Sequence, residues 1–407
     1  MIKIIVVCMC FNAFAFSQSS EWTLQEAETQ AVQHNLSILA QHFEINLADA
    51  DSITARLIPN NPALSLNADV TPEAGSIAPE RKNYFAWLTF PVELGGKRSN
   101  RIAVADAEKA GAAYDFDDAV RHLLLQVRTE FYDVLNAKAA LALAVDNENS
   151  LDSIVSLNTI RLKASDISES ELMRSRILAE QQRLEVGEAR IGYTTAARTL
   201  QLDLGLSPTG DQFEVGGDIE RLPDTLTQTL AELEEVALGR RSDLLALRSR
   251  LDQAVAQEHL EESNGIIDLS VGGYYSQQLG QSFTGVTLSA PIPLFNRNQG
   301  NREKSAALVE QIRLQVADLE RRTTSDVETA YYEYQIRRQI VARMQTNVVS
   351  LSRSVRETVA YAYRRGGTSI LDFLDAQRTF NDTMKSYYDA LTALHKSSFA
   401  LRAAAGI

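Results

Sequence analysis

The chain repeats itself. Pro91-Val92-Glu93-Leu94 returns two hundred positions later as Pro291-Ile292-Pro293-Leu294, and Val127-Arg128-Thr129-Glu130-Phe131-Tyr132-Asp133 returns as Val327-Glu328-Thr329-Ala330-Tyr331-Tyr332-Glu333. A self-match at fixed spacing constrains architecture more than any single motif, because whatever one half builds the other must build too. The segment that opens the match, Phe90 to Arg98 (FPVELGGKR), stands where an extended pattern gives way to a very long helical one.

Each half reads in the same order. Thr23-Leu24-Gln25-Glu26 and Thr229-Leu230-Ala231-Glu232 are capping boxes, and they predict helices to about Arg56 and about Ser263. Pro59 and Pro62 stop the first. Strict alternation follows: Leu64, Leu66, Ala68 and Val70 against Ser65, Asn67, Asp69 and Thr71, then a second strand carrying Phe85, Trp87 and Phe90. The other half matches with Ile267, Leu269 and Val271, then Val286, Leu288 and Ala290. One hairpin per half is expected, over 63–94 and 267–295, with strands of roughly nine or ten residues, long enough to cross a bilayer when tilted.

Long helical patterns run from Arg98 to about Lys163 and from Asn298 or Gln299 to about Arg364, each roughly 66 residues or near 100 Å. Val120, Val127, Val134 and Leu141, with Leu124 and Phe131 between them, form a coiled-coil stripe. The patterns end at Ser165-Asp166-Ile167-Ser168 and Arg365-Gly366-Gly367-Thr368-Ser369, and a shorter helix returns from each. The second return carries the heptad Ile370, Phe373, Gln377, Phe380, Met384, Tyr387, Leu391, Leu394; the first closes at Gly205 and Pro208. One return helix and one capping-box helix, end to end, match one long helix in length. A helical rod with strands at its top is expected, with the Pro/Gly/Asp-rich connection 207–228 halfway along. Four strands cannot close a barrel, and open edges are not tolerated in lipid, so strands placed in a membrane require several chains to share one barrel.

Lys3, the apolar run Ile4 to Phe16, and Ala15 and Ser17 before a cut ahead of Gln18 predict an export signal over residues 1–17. Both cysteines, Cys8 and Cys10, fall inside it, so no disulfide, thiol chemistry or cysteine-bound metal is expected of the mature chain. A lipid anchor is the alternative, but Cys10 lacks small residues before it and Cys8 sits early. The net charge of −13 and the lack of a basic stripe exclude a nucleic-acid partner. His34, His42, His122, His259 and His395 lack metal-ligand spacing, and no nucleophile, base and orienting group cluster, so neither an enzyme nor a cofactor is expected. Gly95-Gly96-Lys97 lacks the rest of a phosphate loop.

These residues resemble a family, the TolC-type outer-membrane factors of Gram-negative bacteria, over nearly the whole mature chain. The LGGKR junction is similar to the CzcC-like heavy-metal efflux branch, YRRGGTSILDFLDAQRTF (Tyr363 to Phe380) to the family's second tip motif, and Leu204-Gly205-Leu206-Ser207-Pro208 to its mid-chain closing pattern. The resemblance implies a mainly α fold with a small β part: a long coiled-coil α-helical barrel plus a β-barrel shared between chains, from two internal repeats, 18–206 and 229–407. It implies a homotrimer in outer-membrane lipid, extending into the periplasm and docked to a periplasmic adaptor (membrane fusion) protein and an inner-membrane RND-type pump. The function implied is the exit duct of a tripartite efflux system, with heavy-metal cations as cargo. Organic drug efflux, a protein-secretion duct, and an exported coiled-coil scaffold without a pore are the alternatives.

The same resemblance places Asp372, Asp375 and Tyr363 at a pore constriction. Spacing of three puts both carboxylates near one helix face, where three chains could set two acidic rings; two solvated acids at a helix start are the plainer alternative. Arg364, Arg365 and Gly366 are candidate adaptor contacts at the tip. Trp87, Phe85 and Phe90 belong either to an interfacial aromatic belt or to packing within the barrel.

Overall fold

A computed structural model describes residues 21–71, 81–207, 213–278 and 280–407. The expected export signal, residues 1–17, lies outside them. Nine α-helices, four strands and one π-helical segment follow in the order α1 (Leu24–His34), α2 (Leu36–Arg56), β1 (Ala63–Thr71), β2 (Arg81–Val92), α3 (Lys97–Lys163), α4 (Glu169–Asp203), α5 (Leu230–Arg240), α6 (Ser242–Asn264), β3 (Leu269–Gln278), β4 (Gln281–Ser289), α7 (Gln299–Arg343), the π segment (Met344–Val349), α8 (Ser350–Arg364) and α9 (Ile370–Ala405), counted among the described residues.

The chain forms two compact units, each drawing on both repeats. Among the described residues, one holds those within 21–35, 126–223 and 337–396, and the other those within 36–125, 224–336 and 397–407. In the first, heptad positions of α3, α4 and α9 pack on one another, with Leu151, Ile154, Ala179, Ile370 and Phe373 buried together. The connection before α5 closes against this unit through a bridge between Trp22 and Val215, and Lys138 donates to the Val215 carbonyl at 2.9 Å. In the second, Arg241 is clamped by Asp243 and by Asp326 at 2.9 Å, and Arg250 pairs with Asp115 at 2.8 Å.

Both capping boxes form as expected, with Thr23 on Glu26 and Thr229 on Glu232. The helices they open are not continuous. Each breaks after eleven residues, at Asn35 (ψ 121) and at Arg241 (ψ 121). Tertiary contacts account for the breaks. Asn35 turns out of the helix and its amide donates to the Asp203 carbonyl at the end of α4 (3.0 Å), while the closing glycine Gly205 packs against the His34 carbonyl. Arg241 in the other repeat meets the corresponding closing residue, Gly406, so closely that a Cβ there would stand 3.3 Å from the Arg241 backbone nitrogen.

The second long helix also departs from expectation, because the π segment interrupts it. The internal match explains why. Buried Val127 and Val134 correspond to buried Val327 and Tyr334, two hundred positions apart. Beyond the π segment the offset is one residue larger: the caps Ser168 and Ser369, buried Leu172 and Phe373, Leu200 and Leu401, and Gly205 and Gly406. A π turn holds one more residue than an α turn, so it absorbs a one-residue insertion without rotating the helix beyond.

The four strands form one antiparallel sheet in chain order, leaving β1 and β4 at its edges. Register sorts the side chains by face. Rows such as Leu64–Leu88–Gly273–Val286 and Phe90–Val271–Leu288 gather the apolar residues on one side. Ser65–Trp87–Tyr274–Gly285 and Asn67–Phe85–Ser276–Phe283 occupy the other. Leu64, Leu66, Val70, Leu88, Phe90, Val271, Val286 and Leu288 are all exposed. Phe85 and Trp87 stack at 5.4 Å on the opposite face, so they do not share Phe90's apolar belt. Residues 290–295, expected to close the second hairpin, continue as irregular chain. Among the described residues no helix is long and apolar enough to cross a membrane.

Candidate functional site

Both long helices turn back at the same kind of cap. At the end of α3 the Asp166 N–H donates to the Arg161 carbonyl (2.9 Å) and the Ser165 N–H to Leu162 (3.0 Å), with Ser165 left-handed at φ 61. At the end of α8 the Gly367 N–H donates to Ala362 (2.8 Å) and the Gly366 N–H to Tyr363 (3.0 Å), with Gly366 at φ 76. These are Schellman caps, whose one left-handed residue suits glycine because no Cβ meets the carbonyl. The returning helices start at serine caps. Ser168 Oγ accepts from the Glu171 N–H at 3.3 Å and Ser369 Oγ from the Asp372 N–H at 3.2 Å.

Asp372 completes the second turn. Its Oδ2 accepts from the Thr368 hydroxyl (2.7 Å), the Ser369 hydroxyl (2.8 Å) and the Ser369 N–H (3.2 Å). Those bonds, the Thr368 hydroxyl foremost, hold its carboxyl below the usual carboxylate range, so it stays charged in mildly acidic surroundings. Asp375 lies three residues on and is exposed, as is Asp372.

Tyr363 is buried, 1% exposed. Its hydroxyl donates to Asn158 Oδ1 at 2.8 Å and its ring stacks on Phe373 at 5.4 Å. Burial pushes its phenol up, with the Asn158 bond opposing. The Arg161 guanidinium lies 5.4 Å from the ring centroid, and its Nη2 donates to the carbonyls of Tyr363 (3.0 Å) and Arg364 (3.1 Å). A cation at a helix C-terminus answers the unpaired carbonyls and the dipole together.

Arg364, Arg365 and Gly366 are exposed on the turn, with the Arg365 guanidinium 5.4 Å from the Tyr361 ring. A cavity of about 580 Å³ opens between the two turns, lined among others by Arg161, Glu171, Arg174, Tyr363 and Arg365. The six residues singled out in the sequence thus share one end of this unit. The structure does not join the Tyr363 hydroxyl to either aspartate; its partner is Asn158.

Asn158, Arg161 and Glu171 belong to the first repeat and escaped the sequence reading. One signal was present. Asn158 continues the buried stripe of Leu151 and Ile154, and a polar residue at a heptad seam position marks a place where specificity outweighs packing. Among the described residues no group of three or more His, Cys, Asp or Glu could hold a metal ion.

The model of one protein family, described as outer membrane efflux protein, matches residues 28–206 and 233–407. The unmatched interval contains most of the connection before α5. The chain is 24% identical over 380 residues to the cobalt-zinc-cadmium resistance protein CzcC of Cupriavidus metallidurans, covering 92% of this chain and 88% of the relative. In fold it is similar to a membrane protein from Pseudomonas aeruginosa (TM-score 0.78, 20% identity, 94% of this chain and 90% of the other). It is similar again to the CmeC outer membrane channel of Campylobacter jejuni (TM-score 0.76, 14% identity, 94% and 85%).

Proposed function

The chain belongs to the outer membrane efflux protein family, and from that premise we propose that it is the exit duct of a tripartite system exporting heavy-metal cations. The observation that carries the cargo is the match, along 92% of the chain, to a protein named for cobalt, zinc and cadmium resistance. The duct is passive, and the driving energy comes from an inner-membrane pump reached through a periplasmic adaptor. Three copies share one barrel in the outer membrane, with the helices extending into the periplasm.

The two turns form the entrance. Asp372 and Asp375 from each copy supply acidic rings that attract cations, and Tyr363 anchors the turn that carries them. Arg364, Arg365 and Gly366, exposed at the tip, meet the adaptor. Asp372→Ala with Asp375→Ala should raise single-channel conductance in planar bilayers and weaken block by divalent cations. Unchanged conductance and block would remove these residues from the constriction.

Cargo is tested by growth of a deletion strain across divalent metals, silver, copper, dyes and detergents. Selective sensitivity to Zn, Co, Cd, Ni, Cu or Ag assigns the duct to a metal pump. Selective sensitivity to organic compounds assigns it to drug efflux and overturns the metal reading.

A further inference from the structure

Internal duplication lets one junction predict another. Where β2 runs into α3, the chain is fastened onto the linker leading from α6 into β3. Lys97, 7% exposed, reaches the Ile266 carbonyl at 2.7 Å and pairs with Asp268 at 2.8 Å. The Leu94 N–H donates to the same carboxylate at 3.0 Å. Gly95, left-handed at φ 73, lies so close that a Cβ there would stand 3.0 Å from the Ile266 Cβ. The first-repeat junction therefore sits on the second-repeat linker.

The converse contact is missing among the described residues. Among the described residues no hydrogen bond or ion pair joins the second-repeat junction, residues 291–298, to the first-repeat linker, residues 57–62. Their apolar side chains stand bare: Ile292 is 78%, Leu294 68% and Phe295 91% exposed, and Leu57 and Ile58 are about as open at 59% and 61%. Both stretches adjoin the sheet edges, since the junction leaves β4 and the linker enters β1. Antiparallel pairing of β2 with β3 sets Val92 opposite Leu269, which brings the end of one strand beside the start of the other and drops junction onto linker. Antiparallel pairing of β4 with β1 of another copy would do the same.

The geometry points to a seam in trans: the 291–298 junction of one copy seats on the 57–62 linker of a second copy, repeating between chains the contact made within one. This rests on the shared-barrel reading and adds the residues and chemistry of the seam. Counting from the strand starts, Ala63 and Leu269, puts Asn60 where Ile266 is and Pro62 where Asp268 is. Counting from the repeated tetrapeptide puts Phe295 where Gly95 is and Arg297 where Lys97 is. Bulk is thus exchanged across the seam: Ile266 over Gly95 within the chain, Phe295 over Asn60 between chains. The ion pair is not repeated, because Pro62 offers no carboxylate. Seams within chains are ionic, and seams between chains are apolar.

The test is Asn60→Cys combined with Phe295→Cys. The equivalent pair within the chain has Cβ atoms near disulfide reach. Mild oxidation should give a covalent ladder on non-reducing gels, whereas either single variant should run as monomer. A double variant that is oligomeric by native mass measurement in detergent yet gives no ladder overturns the seam. Phe295→Asp supplies the second variant, placing a carboxylate in an apolar contact; the oligomer should fall at least about tenfold at matched concentration with the helical content kept. An unchanged oligomer also overturns the seam. A parent chain that is itself monomeric in the native measurement overturns the shared-barrel reading instead.

Discussion

Tyr363 is held by groups from three helices: Asn158 of α3, Glu171 of α4 at 3.5 Å, and Phe373 of α9. Removing only its hydroxyl, as Tyr363→Phe, strands the Asn158 carbonyl oxygen in the interior. That should cost about 1–3 kcal/mol in thermal unfolding and speed amide exchange at the turn; an unshifted melting curve would show that the bond contributes nothing. A second polar centre responds to pH. Gln126 Nε2 donates to Glu130 Oε1 (3.2 Å) and to Asp203 Oδ2 (2.6 Å), so two carboxyls share one amide. Burial, and after it the Asp203 hydrogen bond, push Glu130 up to about 7. The folded chain therefore holds a proton that the unfolded chain releases near 4.5. The associated stability is complete below that value and is lost as pH rises through about 7. Glu130→Gln should flatten the fall in melting temperature between pH 5 and 8 relative to the parent. His395, buried and pushed down to about 4, acts in the opposite sense below pH 6.5 in both proteins, so the comparison isolates Glu130.

At the scale of elements the π segment is the informative feature. If it exists to absorb one inserted residue, deleting Thr346 should heal it to α-helix and leave every buried position of α8 and α9 in place. The deletion chain should then reach the outer membrane and resist protease as the parent does. Deleting Ala330, between buried Val327 and Tyr334, should fail, because one residue rotates the stripe by about 100° with no bulge to compensate. Equal behaviour of the two deletions would mean that the π turn carries no register. The paired turns differ in the same currency. Ser165 holds the left-handed position that Gly366 holds in the second repeat, which adds strain of about 1–2 kcal/mol to the first turn only.

For the whole molecule, the sheet decides where the chain can live. Its apolar face is exposed on strands that span nine to twelve residues. Such a face is stable against lipid and a liability in water. Val286, 89% exposed on that face, is a direct probe. Val286→Arg should destabilise membrane assembly by about 2–4 kcal/mol if the site lies near the bilayer midplane. The yield of folded protein in the outer-membrane fraction measures it, and a wild-type yield would mean that this face does not meet hydrocarbon.

Much of this was present in the residue order. Period-two alternation specified β1, β3 and β4 and their dry faces, heptads specified α3 and α9, the Gly205 and Pro208 pair specified where α4 ends, and capping boxes specified where α1 and α5 start, because each signal is local or repeats along one element. The duplication carried the relation between the halves. What escaped was set by partners distant in sequence. The breaks at Asn35 and Arg241 form where the end of another helix arrives, and no local rule forbids a helix there. The π segment is visible only when buried positions of the two repeats are counted against each other. Tyr363 was recognised by its motif, yet its partner had to be found two hundred residues away, since a buried hydroxyl is satisfied by whatever the packing brings within 3 Å of it.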